Sequence, residues 1–208
     1  MRLYLVRHAL CDGVGSVLLG RMRGVSLNEE GREQASWLAD RLRNERLHAI
    51  YSSPLERAHE TAEAIAEPHQ LPVCIEPGLN EIDFGEWTGR SITELQEHPR
   101  WRAFNERRSA TRVPGGELML EVQQRMIAAV DSLRERHPWG TVVAVSHGDV
   151  IKAALAHYLR ISLDHILCFE IDPASISTLD VERSGTRVIR LNDSASSDLL
   201  NPFRHHRQ

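Results

Sequence analysis

Two apolar runs in this chain end at a histidine. Leu3, Leu5 and Val6 lead through Arg7 to His8, and the unbroken stretch TVVAVS, Thr141 to Ser146, leads to His147. The first pattern predicts a short inner strand ending near Arg7; the second predicts a strand buried on both faces. Helical periodicity lies between and around them. From Asn28, LNEEGREQASWLADRL sets Ala35, Leu38 and Leu42 at offsets of three and four behind a capping asparagine, with Gly31 weakening only the first turn. Ala49, Ile50 and Tyr51 predict a second strand. Ser52, Ser53 and Pro54 then turn the chain into a helix starting near Leu55, whose inner face carries Ala58, Ala62 and Ile65.

Beyond Pro68 the pattern loosens into an extended piece at Val73 to Ile75, the long loop LNEIDFGEWTGRS, and short helical pieces at Ile92 to Glu97 and Arg100 to Arg107. After VPGG, a stronger helix from about Glu117 to His137 aligns Val122, Met126, Val130 and Leu133. A helix with Ile151, Ala154, Leu155 and Leu159 follows His147. Cys168 to Ile171, Ile176 to Val181 and Thr186 to Leu191 predict final, peripheral strands with a turn at Ser184 and Gly185. The alternation predicts a three-layer α/β/α sandwich with a mainly parallel central sheet. One domain is expected over 1–192, followed by a polar, flexible C-terminal tail over 193–208.

Composition narrows the function without naming it. The 208 residues are 41% hydrophobic and 26% charged, enough for one substantial core. The net charge of -4 and the lack of a long basic block give no case for nucleic acid or an anionic membrane as partner. No apolar run is long enough to cross a bilayer, and Met1 leads into a strand-like segment with no secretory pattern, so a cytoplasmic location is expected. Cys11, Cys74 and Cys168 are odd in number and far apart, which favours reduced thiols over disulfides. With no CxxC pair, and with His8 and Cys11 lacking a second half-site, no metal is expected, and no cofactor either. His205 and His206 are read as solvated tail residues.

Active sites of open α/β sheets collect beyond the carboxyl ends of the strands. Parallel neighbouring strands would therefore bring His8 and His147 together, although the sequence separates them widely. Arg57, on the first turn after the second strand, can point into the same crevice. Arg7 and Arg57 suit a phosphate because guanidinium groups present several planar donors to its oxygens. Their charge also disfavours protonation of His8, keeping it nucleophilic. His147 could hold a phosphoryl oxygen, helped by backbone N–H groups around Gly148 at a helix start. Expelling an alkoxide needs a proton source, for which Glu81 is the first candidate, with Asp83 and Glu86 as competitors. Cys11 reads as a wall-forming thiol rather than a nucleophile, and Trp87 as either a pocket or a core aromatic.

Five blocks add a resemblance to this reading. LVRHA at Leu5 to Ala9, SSPLERAHETA at Ser52 to Ala62, LNEIDFGEWTG at Leu79 to Gly89, PGGE at Pro114 to Glu117 and VSHGDVIK at Val145 to Lys152 together resemble the histidine phosphatase superfamily, its phosphoglycerate-mutase-like branch, in the compact phosphatase form. The resemblance implies that His8 is the phosphorylated histidine, Arg7 and Arg57 phosphate ligands, His147 the second catalytic histidine and Glu81 the proton donor. It also implies a catalytic domain of that type over 1–192. Ala9 stands where many relatives have glycine. Val14 replaces the mutase-like asparagine seven residues after Arg7, and the chain is short for the central insertion of glycolytic mutases.

The implied activity is metal-independent hydrolysis of a phosphomonoester, a small phosphorylated metabolite, through a phosphohistidine. A phosphomutase or phosphotransferase is the enzymatic alternative; a catalytically weak phosphate-binding regulatory protein is the non-enzymatic one. Gly20 and Arg21, with Arg23 nearby, are expected to reach the outer part of the substrate, alongside loops around Glu86 and Arg107 to Gly116. A homodimer is compatible with this reading.

Overall fold

Successive side chains of a strand point to opposite faces, and in this protein each face of the sheet meets its own helices. The computed structural model, which describes residues 1–194, contains β1 (Arg2–Arg7), β2 (Ala49–Ser52), β3 (Val73–Ile75), β4 (Thr141–Ser146), β5 (Ile176–Glu182) and β6 (Gly185–Asp193). They form one sheet in the order β3-β2-β4-β1-β5-β6. The first four strands pair in parallel, whereas β5 runs antiparallel to both β1 and β6. Leu3, Leu5, Val142 and Ala144 face α5 (Met119–Arg136) and α6 (Gly148–Leu159). Tyr4, Val6, Val143 and Val145 face α1 (Glu29–Leu42) and α2 (Glu56–Ala66). The result is a three-layer α/β/α sandwich with a mixed, mostly parallel sheet. Burying β1 and β4 on both faces accounts for their nearly continuous apolar sequences.

Register places the two histidines. Arg7 lies opposite Ser146 in the β1–β4 pair, so His8 and His147 leave the sheet side by side. Ser52 lies opposite Val145 on the other side of β4, which brings the turn at Ser53 to the same end. Helix α1 braces the chain just beyond His8. Asn28 caps it by accepting the Gly31 N–H at 2.8 Å, Gln34 Oε1 accepts the Leu10 N–H at 3.0 Å, and a side chain at Gly31 would collide with the Leu10 carbonyl. The glycine that weakens the helix turn is what lets the helix approach so closely.

The insertion between β3 and α5 holds α3 (Ile92–Gln96) and α4 (Pro99–Glu106). Trp87 is buried in an aromatic cluster with Trp101 and Phe104, at centroid distances of 5.3 and 5.6 Å, which makes it a packing residue. Among the described residues, no helix is long and apolar enough to cross a membrane.

Two expectations need correction. Cys168 to Ile171 do not form a strand: a 3₁₀ turn, Leu163–Cys168, leads into a loop, because the Ile171 carbonyl turns inward to accept from Arg7 at 2.7 Å. The helix expected from about Glu117 starts at Met119, because the backbone of Leu118, its N-cap, is still extended. Strand β6 continues through Asp193, whose carboxylate holds Arg41 and Arg190, each at 3.0 Å. The remainder of the expected tail, 195–208 with His205 and His206, lies outside the described residues.

Candidate active site

The parallel strand ends bring the two imidazoles to a centroid separation of 5.1 Å, with ring planes at 61°. Both rings are buried. His8 Nδ1 donates to the Ala9 carbonyl at 2.7 Å, because a carbonyl can only accept, and this leaves the lone pair on Nε2. Ala9 has an ordinary negative φ and donates its N–H to Thr61 at 3.1 Å, so its place in the sequence RHA requires no glycine. Burial, then Arg57 and Arg7, hold the His8 imidazole well below its ordinary pKa of 6.5. It is a neutral ring between two cations.

His147 Nε2 and the Ser53 hydroxyl share a hydrogen bond of 2.8 Å. Its Nδ1 is buried without a hydrogen-bond partner among the described residues. Burial, followed by His8 and Arg57, keeps this imidazole well below its ordinary pKa as well. Glu81 Oε2 stands 3.6 Å from Nδ1, too far for a good hydrogen bond. The other Glu81 oxygen accepts the Ile82 N–H at 2.9 Å. Burial raises the Glu81 carboxyl from 4.5 to about 7, against the pull of Arg57, the Ile82 N–H and Arg7, and with Asp149 adding to the rise.

Each of the two arginines has one donor tied to the protein and others unpaired. Arg7 donates through one terminal nitrogen to the Ile171 carbonyl at 2.7 Å, and its Nε is buried without a partner. Arg57, 1% exposed, donates to the Gly20 carbonyl at 2.8 Å and keeps Nε and its other terminal nitrogen unpaired. Buried polar groups are almost always hydrogen-bonded, and an unpaired buried donor costs about 1–3 kcal/mol. Several such donors on Arg7, Arg57 and His147 therefore form a cradle of unpaired polar hydrogens at the strand ends. Gly148 begins α6 against Arg7: a Cβ there would sit 3.3 Å from the guanidinium carbon. The helix N-terminus adds a partial positive charge.

The other expected residues occupy different positions. Gly20 serves the cradle through its carbonyl on Arg57. Arg21 turns to the loop around Glu81: its Nε donates to the Glu81 carbonyl at 2.9 Å, and its terminal nitrogens face Asp83 at 3.6 Å and Glu117 at 2.9 Å. Arg21 is thereby held against the segment that carries Glu81. Arg23 donates to the Pro54 carbonyl at 3.0 Å. Asp83 caps Gly85 and Glu86 is exposed, which leaves Glu81 as the carboxyl beside the two rings. Cys11 is buried and free.

Sequence reasoning passed over Ser53, Arg108 and Arg125. Ser53 lies inside SSPLERA, where its turn role hid its contact with His147. Arg108 pairs with Asp149 at 2.6 Å on the first turn of α6, a contact between segments remote in sequence. Arg125 falls three residues after Val122 and four before Ala129, on the buried stripe of its helix; an arginine at such a position was the available signal.

A hollow of about 700 Å³ opens at the opposite end of β1 and β4, beside Arg2 and Trp139. The unpaired donors, rather than the size of that hollow, locate the site. Among the described residues, no group of three or more His, Cys, Asp or Glu side chains is arranged to hold a metal ion.

Comparisons with known proteins agree with this architecture. Residues 3–194 match the family described as the histidine phosphatase superfamily (branch 1). Phosphoserine phosphatase 1 of Hydrogenobacter thermophilus is 36% identical over 197 residues, covering 92% of each chain. The probable phosphoglycerate mutase GpmB of Yersinia pestis is 32% identical over 192 residues, covering 88% of this chain and 86% of that one. The structure of YhfR from Bacillus stearothermophilus superimposes with a TM-score of 0.88 at 32% identity, covering 93% of this chain and 98% of that one. With its two strand-end histidines and its buried guanidinium pair, the chain belongs to branch 1 of the histidine phosphatase superfamily.

Proposed function

We propose that the protein hydrolyses a small alkyl phosphomonoester, without a metal, through a phosphohistidine on His8. The observation that carries this reading is the set of unpaired buried donors on Arg7, Arg57 and His147 around the free Nε2 of His8. In the first half-reaction the Nε2 lone pair forms a bond to phosphorus as the bond from phosphorus to the ester oxygen breaks. The protonated Glu81 carboxyl gives its proton to the departing alkoxide. In the second half-reaction water attacks phosphorus, Glu81 takes a proton from it, and the P–N bond breaks to release phosphate. Because Nδ1 keeps its proton on the Ala9 carbonyl throughout, the imidazole leaves as a neutral ring. Arg7, Arg57, the Gly148 N–H and His147 Nδ1 are the proposed donors to the oxygens that carry the growing charge.

Hydrolysis is favoured over transfer by Val14, which offers no polar group on the loop, and by the 36% identical relative named as a phosphatase. O-Phosphoserine, the substrate in that relative's name, is the first compound to test. Acid-labile label from ³²P-phosphoserine should appear on the protein after a rapid alkaline quench, map to the peptide containing His8, and chase into inorganic phosphate. Label that chases into a second hydroxyl compound faster than into phosphate would make the protein a phosphotransferase. No protein-bound label under single turnover would reject the covalent route.

The raised carboxyl sets a pH dependence. Above about 7, Glu81 loses the proton that the first half-reaction needs, so kcat/KM for phosphoserine should fall about tenfold per pH unit, and Glu81→Gln should remove that limb. Stability follows the same proton. Between about 4.5 and about 7 the folded protein holds it while the unfolded chain has released it, so this group's contribution to stability declines as pH rises through that window. A flat kcat/KM profile from pH 6 to 9 would remove Glu81 from the acid role.

A further inference from the structure

The block PGGE, Pro114 to Glu117, has no part in the chemistry above, and neither has Arg125. They meet at the turn that carries Glu81. A guanidinium has five N–H donors, and Arg125 has an acceptor for each. Its Nε and one terminal nitrogen grip the Glu117 carboxylate at 3.0 and 3.2 Å. The other terminal nitrogen donates to the Gly78 and Asn80 carbonyls at 2.9 and 2.7 Å, and the Glu81 carbonyl accepts at 3.0 Å. Arg21 donates to that same Glu81 carbonyl and to Glu117, at 2.9 Å each. Glu117 also accepts the Asp83 N–H at 2.9 Å, holding the chain two residues beyond Glu81.

Apart from the single 3₁₀ turn Pro77–Leu79, this segment belongs to no strand or helix, and side chains satisfy the carbonyls of Gly78, Asn80 and Glu81. Pinning residues 78, 80, 81 and 83 leaves the Glu81 carboxyl little backbone freedom beside His147. We infer that Arg125, gripped by Glu117 and seconded by Arg21, positions Glu81 for proton transfer to the leaving group. The inference rests on the reading of Glu81 as the acid. Arg125 makes no hydrogen bond to a cradle side chain, although its charge helps keep His147 neutral, so it is a positioning residue. A displacement of about 1 Å in such a group can cost about 10²-fold in rate.

A leaving group that needs no proton separates positioning from general loosening of the fold. The test compares kcat/KM, which reports the first half-reaction, for O-phosphoserine and for p-nitrophenyl phosphate, whose phenolate departs unaided. The ratio of the two values is unaffected by the fraction of protein that is folded. Arg125→Met should lose about 10²-fold on phosphoserine and only about threefold on the aryl ester, with a displaced basic limb for phosphoserine. Arg125→Lys, which supplies a cation without the planar fork, should recover only part of the loss. Glu117→Gln, nearly isosteric, carries the same expectation of unequal losses and serves as the second variant. Glu81→Gln is the control. If it loses both substrates equally, the acid assignment fails; if it discriminates while both network variants lose both substrates equally, the positioning role alone is overturned.

Discussion

His8→Ala should lower phosphomonoester turnover on the order of 10⁵–10⁶-fold, the scale on which loss of a covalent nucleophile is felt. The reason lies in how the ring is held. Nδ1 is committed to the Ala9 carbonyl, burial and two guanidiniums keep the imidazole neutral, and Nε2 is the one nitrogen left to attack. Without it, phosphoryl transfer to water would need a water molecule placed as well as that nitrogen. The donors of Arg7, Arg57 and His147 remain in the variant, so inorganic phosphate should still bind within about tenfold of the wild-type affinity while turnover collapses. The measurement is single-turnover hydrolysis of phosphoserine alongside a calorimetric titration with inorganic phosphate. Turnover within tenfold of wild type would transfer the nucleophile's role elsewhere.

Arg57→Met should cut kcat/KM by about 10³-fold and, in the ligand-free protein, raise thermal stability. The two effects have one origin. Arg57 is fully buried, has a single protein acceptor at the Gly20 carbonyl, and keeps two nitrogens unpaired. Losing one preorganised donor typically costs about 2.7–4 kcal/mol of transition-state stabilisation, and here a full charge goes with it. In the ligand-free fold that same charge is buried with two nitrogens unpaired, so a flexible apolar side chain of similar length removes an unfavourable burial. Replacing buried ionic groups by apolar ones is often neutral or stabilising by about 1–4 kcal/mol. For a chain of this size each kcal/mol moves the thermal midpoint by about 2–4 °C. Saturating phosphate should reverse the ranking, since it stabilises only a protein that binds it. A variant that is both less stable without ligand and nearly as active as wild type would contradict the cradle.

Legibility differed between elements for physical reasons. The apolar stretches at Leu3 to Val6 and Val142 to Val145 read as central strands because burial on two faces leaves no room for polar alternation. Their ends therefore marked His8 and His147. Cys168 to Ile171 misled because an apolar alternation of that length is equally consistent with a loop whose backbone serves another residue, here the Ile171 carbonyl on Arg7. The contacts of Arg21 with Asp83 and Glu117 were likewise not legible, because they join segments remote in sequence and only packing brings them together.

By itself, the sequence determined the layering of helices on a sheet, the inner strands, the strand-end histidines and the arginines beside them, because period and chemical type are written in adjacent residues. Tertiary structure alone decided which of three carboxyls stands beside His147, which donors of Arg7 and Arg57 stay unpaired, and that Arg125 and Glu117 clamp the Glu81 turn. Those outcomes depend on distances between segments that share no local pattern, and on burial that shifts a carboxyl to about 7, neither of which a linear spacing can express.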